Sequence, residues 1–191
     1  MKATWEKAQK LEQAWHLKHP GSIEHYRRVY INYFKFLGID YKGLGSKIIL
    51  EIGPGMYPAL MYCSNYNGIL IEPNHYVELD INVYSKPINV VRKPAEDFNF
   101  GEVDEVWLLN VLQHVIDPEL IIKKAKEAAQ IIRFFEPINT PVNDTHLHSF
   151  TMDSFLKWFG NYVNYYPPHP ESTDFHKHEC AYGIWERRED V

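Results

Sequence analysis

From Lys47 onward, short apolar runs alternate with helical segments, and this alternation constrains the fold more than any other feature of the chain. The runs are Lys47–Ile52, Gly68–Ile71, Asn89–Arg92, Glu105–Leu109 and Ile131–Phe135, each closed by glycine, proline or a polar residue. Asp117-Pro118 supplies an N-cap and a first-turn proline, which predicts a helix running to about Gln130. Thr151 predicts the cap of another, carrying Phe155, Leu156, Trp158 and Phe159 and ending at Gly160. Tyr162–Tyr166 and Cys180–Glu186 read as two last strands with no helix between them, hence an antiparallel edge hairpin. Mostly apolar strands separated by helices require a parallel sheet covered on both faces. The expectation is an α/β fold: a doubly wound, mostly parallel seven-stranded sheet with an antiparallel edge hairpin and an N-terminal helical cap.

The cap is read from residues 1–38. Trp5, Ala8, Leu11 and Trp15 recur at helical spacing, so Trp5 and Trp15 are expected to pin the first helix to the domain. Pro20-Gly21 breaks it, Ser22 suits the N-cap of a second helix, and Gly38 suits its C-terminal stop. Residues 39–191 then form one compact unit, because 191 residues that are 45% apolar supply one core rather than two. The net charge is −5, which disfavours nucleic acid as a partner. Residues 1–35 carry seven Lys/Arg against three Glu, which reads either as a solvated outer face or as a basic cap over an acidic substrate. No apolar run approaches the length of a membrane span, and the first ten residues lack the apolar stretch of a secretory signal. Cys63 and Cys180 form no metal-binding or disulfide pattern, which fits a reducing, cytoplasmic setting.

Ligands of open α/β sheets sit beyond the C-terminal strand ends. The first such loop is Glu51-Ile-Gly53-Pro54-Gly55-Met-Tyr-Pro58, and Glu72 follows Glu51 by 21 residues at the end of the next strand. Two glycines let a ligand approach the backbone, and an acid at that distance is placed to accept ribose hydroxyls. A dinucleotide also needs free N–H groups for its pyrophosphate, and Pro54 and Pro58 each delete one. A phosphate-free nucleoside such as S-adenosylmethionine (SAM) suits the loop better.

These residues, with Ile-Glu72-Pro73-Asn74, Ala95-Glu96-Asp97-Phe98, Asn110-Val111-Leu-Gln-His114-Val-Ile-Asp117-Pro118, Phe-Glu136-Pro and His146 before Phe150-Thr151, resemble the class I SAM-dependent methyltransferases over about residues 47–160. The resemblance implies a Rossmann-like SAM-binding catalytic domain. Glu51 and the Gly53–Pro54–Gly55 backbone would hold the methionine part, Glu72 with Pro73 and Asn74 the ribose, and Ala95-Glu96 would border the adenine. Asn110 and Val111 would floor the sulfonium. The third glycine of the loop is absent, Pro94 replaces an acid before Ala95, and the short Glu72–Asn89 segment predicts a turn in place of the second crossover helix.

His114 and His146 are the candidate bases for a hydroxyl acceptor. Asn110-Val-Leu-Gln departs from the Asn-Pro-Pro-Tyr of base-amine methyltransferases, which argues against DNA methylation. His146-Leu-His148 and His176-Lys-His178 lack a third ligand at fixed spacing, so no metal is assigned. The expected activity is methyl transfer to a small-molecule acceptor; the sequence does not fix the oligomeric state, although the aromatic lid offers a surface for a homodimer. The rival readings are a methyltransferase-like binding module without turnover and an NAD-dependent oxidoreductase.

Overall fold

The computed structural model describes residues 2–169 and 176–187. Two helices, α1 (Lys2–Lys18) and α2 (Ile23–Phe36), precede β1 (Lys47–Ile52), a 3₁₀ turn (Ala59–Tyr62), β2 (Tyr66–Ile71), α3 (Val77–Val83) and β3 (Ile88–Val91). Then come β4 (Val103–Leu109), α4 (Pro118–Ala128), β5 (Ala129–Pro137), α5 (Met152–Phe159), β6 (Val163–Tyr166) and β7 (Cys180–Glu186). One seven-stranded sheet has the order β3-β2-β1-β4-β5-β7-β6, with β1 to β5 parallel and β7 antiparallel to both of its neighbours. Strand order reverses between β1 and β4, so a crevice opens there at the C-terminal edge.

The period of two along each strand sorts side chains to the two faces. Leu50, Val106, Leu108, Ile132 and Phe134 pack with Ile121 and Ile122 of α4 and Phe155 and Phe159 of α5. Ile49, Leu70, Trp107 and Phe135 pack on the other face with Tyr33 and Phe34 of α2 and Leu79 of α3. The helix ends follow their caps. Ser22 Oγ accepts from the His25 N–H, Asp117 from Leu120, and Thr151 with Ser154 forms a capping box.

Three expectations need correcting. The Glu72–Asn89 segment holds a real if short helix, α3, because Leu79 and Val83 find room in the core. The crossover lacking an α-helix is the first, between β1 and β2, where only the 3₁₀ turn stands. α2 covers that face of the sheet: Tyr30 packs near Tyr62 (5.7 Å between centroids), and Phe34 near Trp107 (6.1 Å). Finally, Trp5 is buried but Trp15 is 56% exposed, and Leu11 and Leu17 are exposed as well. α1 turns inward Trp5, Ala8, Gln9, Glu12 and His16, a stripe that becomes polar because it faces a polar cavity.

Candidate functional site

The glycine loop leaves β1 with Gly53 at φ +61°, its N–H bonded to the Ile71 carbonyl (2.9 Å). A Cβ on Gly53 would lie 2.3 Å from Val111 Cγ2, so the loop after β1 packs directly on the loop after β4. Gly55, at φ +63°, has open space beside its Cα, and its N–H donates to Glu72 Oε2 (3.0 Å). Glu51 is fully buried and accepts the N–H groups of Ala59 (2.7 Å) and Leu60 (3.0 Å). The start of the 3₁₀ turn, where a pyrophosphate would seek donors, is therefore occupied by a carboxylate.

The same device recurs around the rim. Glu72 also takes the Asn74 N–H (2.9 Å), and Glu96 takes those of Ile116 (2.8 Å) and Asp117 (3.1 Å). Glu136, fully buried at the end of β5, takes those of Val111 (2.9 Å) and Leu112 (3.1 Å). Each carboxylate satisfies two loop donors that would otherwise be orphaned. Asn110, at φ +60°, turns the chain between β4 and that anchored segment; Asn tolerates this left-handed conformation better than most residues.

α1 roofs the crevice through polar contacts. Trp5 Nε1 and Gln9 Nε2 donate to the His114 carbonyl (2.9 and 3.3 Å), and Asn74 Nδ2 donates to Gln9 Oε1 (2.9 Å). Glu12 Oε2 lies 3.1 Å from His114 Nδ1, which also meets the Thr145 carbonyl at 3.1 Å. Both partners are acceptors, so in the neutral ring Nδ1 carries the proton and Nε2 is left to receive one. His146 packs edge-on against His114 at 4.8 Å.

One cavity thus gathers Gly53, Pro54, Gly55, Glu72, Pro73, Asn74, Ala95, Glu96, Asn110, Val111 and His114. Glu51 and His146 stand behind its wall, Glu51 bracing the glycine loop and His146 bracing His114. Sequence reasoning missed Gln9, Glu12 and His16 of α1, Tyr26, Tyr30 and Tyr33 of α2, and the anchoring role of Glu136. The polar i, i+3, i+7 spacing of Gln9, Glu12 and His16 was the signal available for α1. Among the described residues no group of three His, Cys, Asp or Glu is placed to hold a metal ion, and no helix is long and apolar enough to cross a membrane.

Burial pushes the Glu51 and Glu72 carboxyls up to about 7 and that of Glu136 to about 8, against the pull of their backbone donors. Burial also opposes charge on Glu12, but His114 and His16 hold its carboxyl down at about 2. Burial opposes charge on His114, but Glu12, the Thr145 carbonyl and Glu136 together raise it. Between the ordinary carboxyl value of 4.5 and these raised values, the folded protein binds more protons than the unfolded chain at Glu51, Glu72 and Glu136. Their stabilising contribution is full below 4.5 and is lost as pH rises through the folded values. His114 acts in the same sense, its contribution lost as pH rises above 6.5, whereas that of Glu12 is lost only as pH falls toward 2. Urea midpoints of the ligand-free protein are expected to peak near about pH 5 and decline toward pH 8; a midpoint that climbs across that interval would contradict this assignment.

Solved structures give the fold independently. The Burkholderia thailandensis 1,6-didemethyltoxoflavin-N1-methyltransferase, with bound 1,6-didemethyltoxoflavin and S-adenosylhomocysteine (SAH), superposes with a TM-score of 0.65 at 11% identity, over 98% of this chain and 89% of that one. The N-terminal domain of EvdMO1 with SAH bound gives 0.58 at 14% identity, over 87% and 82%. The [4+2]-cyclase SpnF gives 0.54 at 16% identity, over 67% and 54%. No protein-family model matches the chain, and no curated protein matches it. The seven-stranded, mostly parallel sheet with its antiparallel edge superposes on these structures, and the fold of this chain is that of the class I SAM-dependent methyltransferases.

Proposed function

We propose that this chain binds SAM and transfers its methyl group to a small acceptor. The observation that carries this reading is the use of donors in the first loop. The N–H groups of Gly53, Gly55, Ala59 and Leu60 are all spent on protein acceptors, and Pro54 and Pro58 have none. A pyrophosphate finds no cradle and meets the Glu51 carboxylate, which argues against a nicotinamide dinucleotide. A nucleoside without phosphate needs only what the crevice offers. Glu72 would accept its ribose hydroxyls, the open side of Gly55 would admit its backbone-facing edge, and Pro94, Ala95, Ile71 and Val115 would border its base.

When bound, SAM supplies an electrophilic methyl on a sulfonium. The protein's part is alignment, which can supply about 7–11 kcal/mol of the barrier. The carboxylate-anchored loops fix the floor at Asn110 and Val111, and α1 excludes water from above. His114, with Nδ1 committed to Glu12 and Thr145, presents Nε2 to take a proton from an acceptor that must lose one. The small acceptor is favoured by the lining: side chains of α1 and α2 border the cavity together with the strand-end loops.

Calorimetric titration with SAM, SAH and NAD tests this reading. Both sulfur nucleosides are expected to bind in the micromolar range and NAD not at all, with Glu72→Ala weakening SAH by about tenfold or more, the worth of charge-assisted hydrogen bonds. Binding of NAD with no binding of SAM would overturn the assignment. Binding of both nucleosides without methyl transfer to any acceptor would support the binding-module reading instead.

A further inference from the structure

The cap carries seven Lys and Arg, yet among the described residues no Lys or Arg side chain lines the cavity. The nearby cations are turned away or neutralised. Arg92 donates to the Asn74 carbonyl and to Asp80, and Lys124 to the carbonyls of Ala95, Glu96 and Phe98. At the rim Lys2 pairs with Asp97 and Lys7 with Asp144, both at 3.8 Å. Arg27 and Arg28 lie beside Glu24 on the outer side of α2. The ionisable side chains that do face the cavity are the acids Glu12, Glu72 and Glu96, with His16 and His114 beside them.

Its hydrogen-bonding surface has the same bias. His16 Nε2 points toward Glu12 Oε1 at 3.8 Å, which places the ring proton on that side, and His16 Nδ1 is buried without a partner. An unpartnered acceptor in a cavity is satisfied by a ligand that donates. The same cavity is lined by Tyr26, Tyr30 and Tyr33, whose hydroxyls burial keeps protonated and neutral. Aromatic faces beside carboxylates favour cations over anions.

We infer that the acceptor is a nitrogen base, an amine or nitrogen heterocycle bound as a neutral or cationic donor, and that Glu12 with the tyrosine rings of α2 excludes acceptors of net negative charge. This rests on the methyltransferase reading above. It replaces the expectation of a basic cap over an acidic substrate, since the cap's cations are on its outside. An acceptor bound as a cation first gives its proton to His114 Nε2, and the freed nitrogen lone pair then forms the N–C bond as the S–C bond breaks with its electron pair kept by sulfur. The product is a cation, which the same acidic surface accommodates.

The test uses two compounds with one ring and opposite charge, tyramine and 4-hydroxyphenylacetate, titrated into the protein alone and into protein saturated with SAH. Tyramine is expected to bind at least about tenfold more tightly, and Glu12→Gln to shrink that ratio, as removal of a partly buried charge requires. Replacing the exposed Lys10 and Lys18 of α1 by Gln serves as a folded control and leaves the ratio unchanged. Equal affinity, tighter binding of the carboxylate, or no binding of either compound would overturn the inference. Failure of SAH to bind would instead strike the methyltransferase reading, and the charge preference of the protein alone would still decide this one.

Discussion

Glu105→Ala is expected to cost about 3–5 kcal/mol of folding stability, because it strands a buried guanidinium without its counter-charge. Glu105 is fully buried in β4, in the middle of the sheet. One oxygen accepts from Lys47 Nζ (2.7 Å) of β1 and from Arg133 (3.2 Å) of β5; the other accepts from Arg133 Nε (2.7 Å) and Trp107 Nε1 (2.9 Å). Arg133 reaches on to the Leu37 carbonyl at the end of α2. One carboxylate therefore ties three strands to the helix that covers the first crossover. Burial works against its charge, but Arg133, Lys47 and Trp107 hold its carboxyl down at about 2. That contribution is present above 4.5 and is lost only as pH falls toward 2. Urea denaturation measures the cost, and the double variant Glu105→Leu, Arg133→Met is expected to recover much of it, since an apolar pair removes both desolvation penalties. A loss below about 1 kcal/mol for Glu105→Ala, the range of an exposed pair, would contradict the network.

The sheet was legible because strand patterning, caps and turn residues are local signals. Ser22, Asp117, Thr151 and Gly160 act at the helix ends where the sequence places them. Most of the cavity wall was legible too, since loops at strand ends carry the ligand in any such sheet. What periodicity could not show was which face of α1 turns inward. Trp15 and Leu11 share a helical stripe with Trp5, yet the helix buries Gln9 and turns Glu12 and His16 inward because the surface beneath them is a polar crevice. Nor could spacing assign Glu51. Its position matches a ligand-holding acid, but with no α-helix after the glycine loop the orphaned N–H groups of Ala59 and Leu60 claim it. Glu12 and His114 are 102 positions apart, and only the folded chain brings an acid of the cap to the ring nitrogen of a strand-end histidine.

The second large effect concerns Glu72. In the ligand-free protein burial raises its carboxyl to about 7, so just below neutrality much of it holds a proton. Ribose hydroxyls donate best to the ionised form, so a nucleoside bound there favours proton loss. Affinity for SAH is then expected to rise with pH, by up to about tenfold per unit below pH 7, and to level off above it. The decisive measurement is calorimetric titration with SAH near about pH 6 in two buffers of different ionisation enthalpy, repeated near about pH 8. The account predicts release of a substantial fraction of a proton at the lower pH, little at the higher, and loss of both the release and the pH dependence in Glu72→Gln. Binding of SAH with no proton exchange at either pH, or with the same pH dependence in wild type and Glu72→Gln, would contradict the placement of the nucleoside on Glu72.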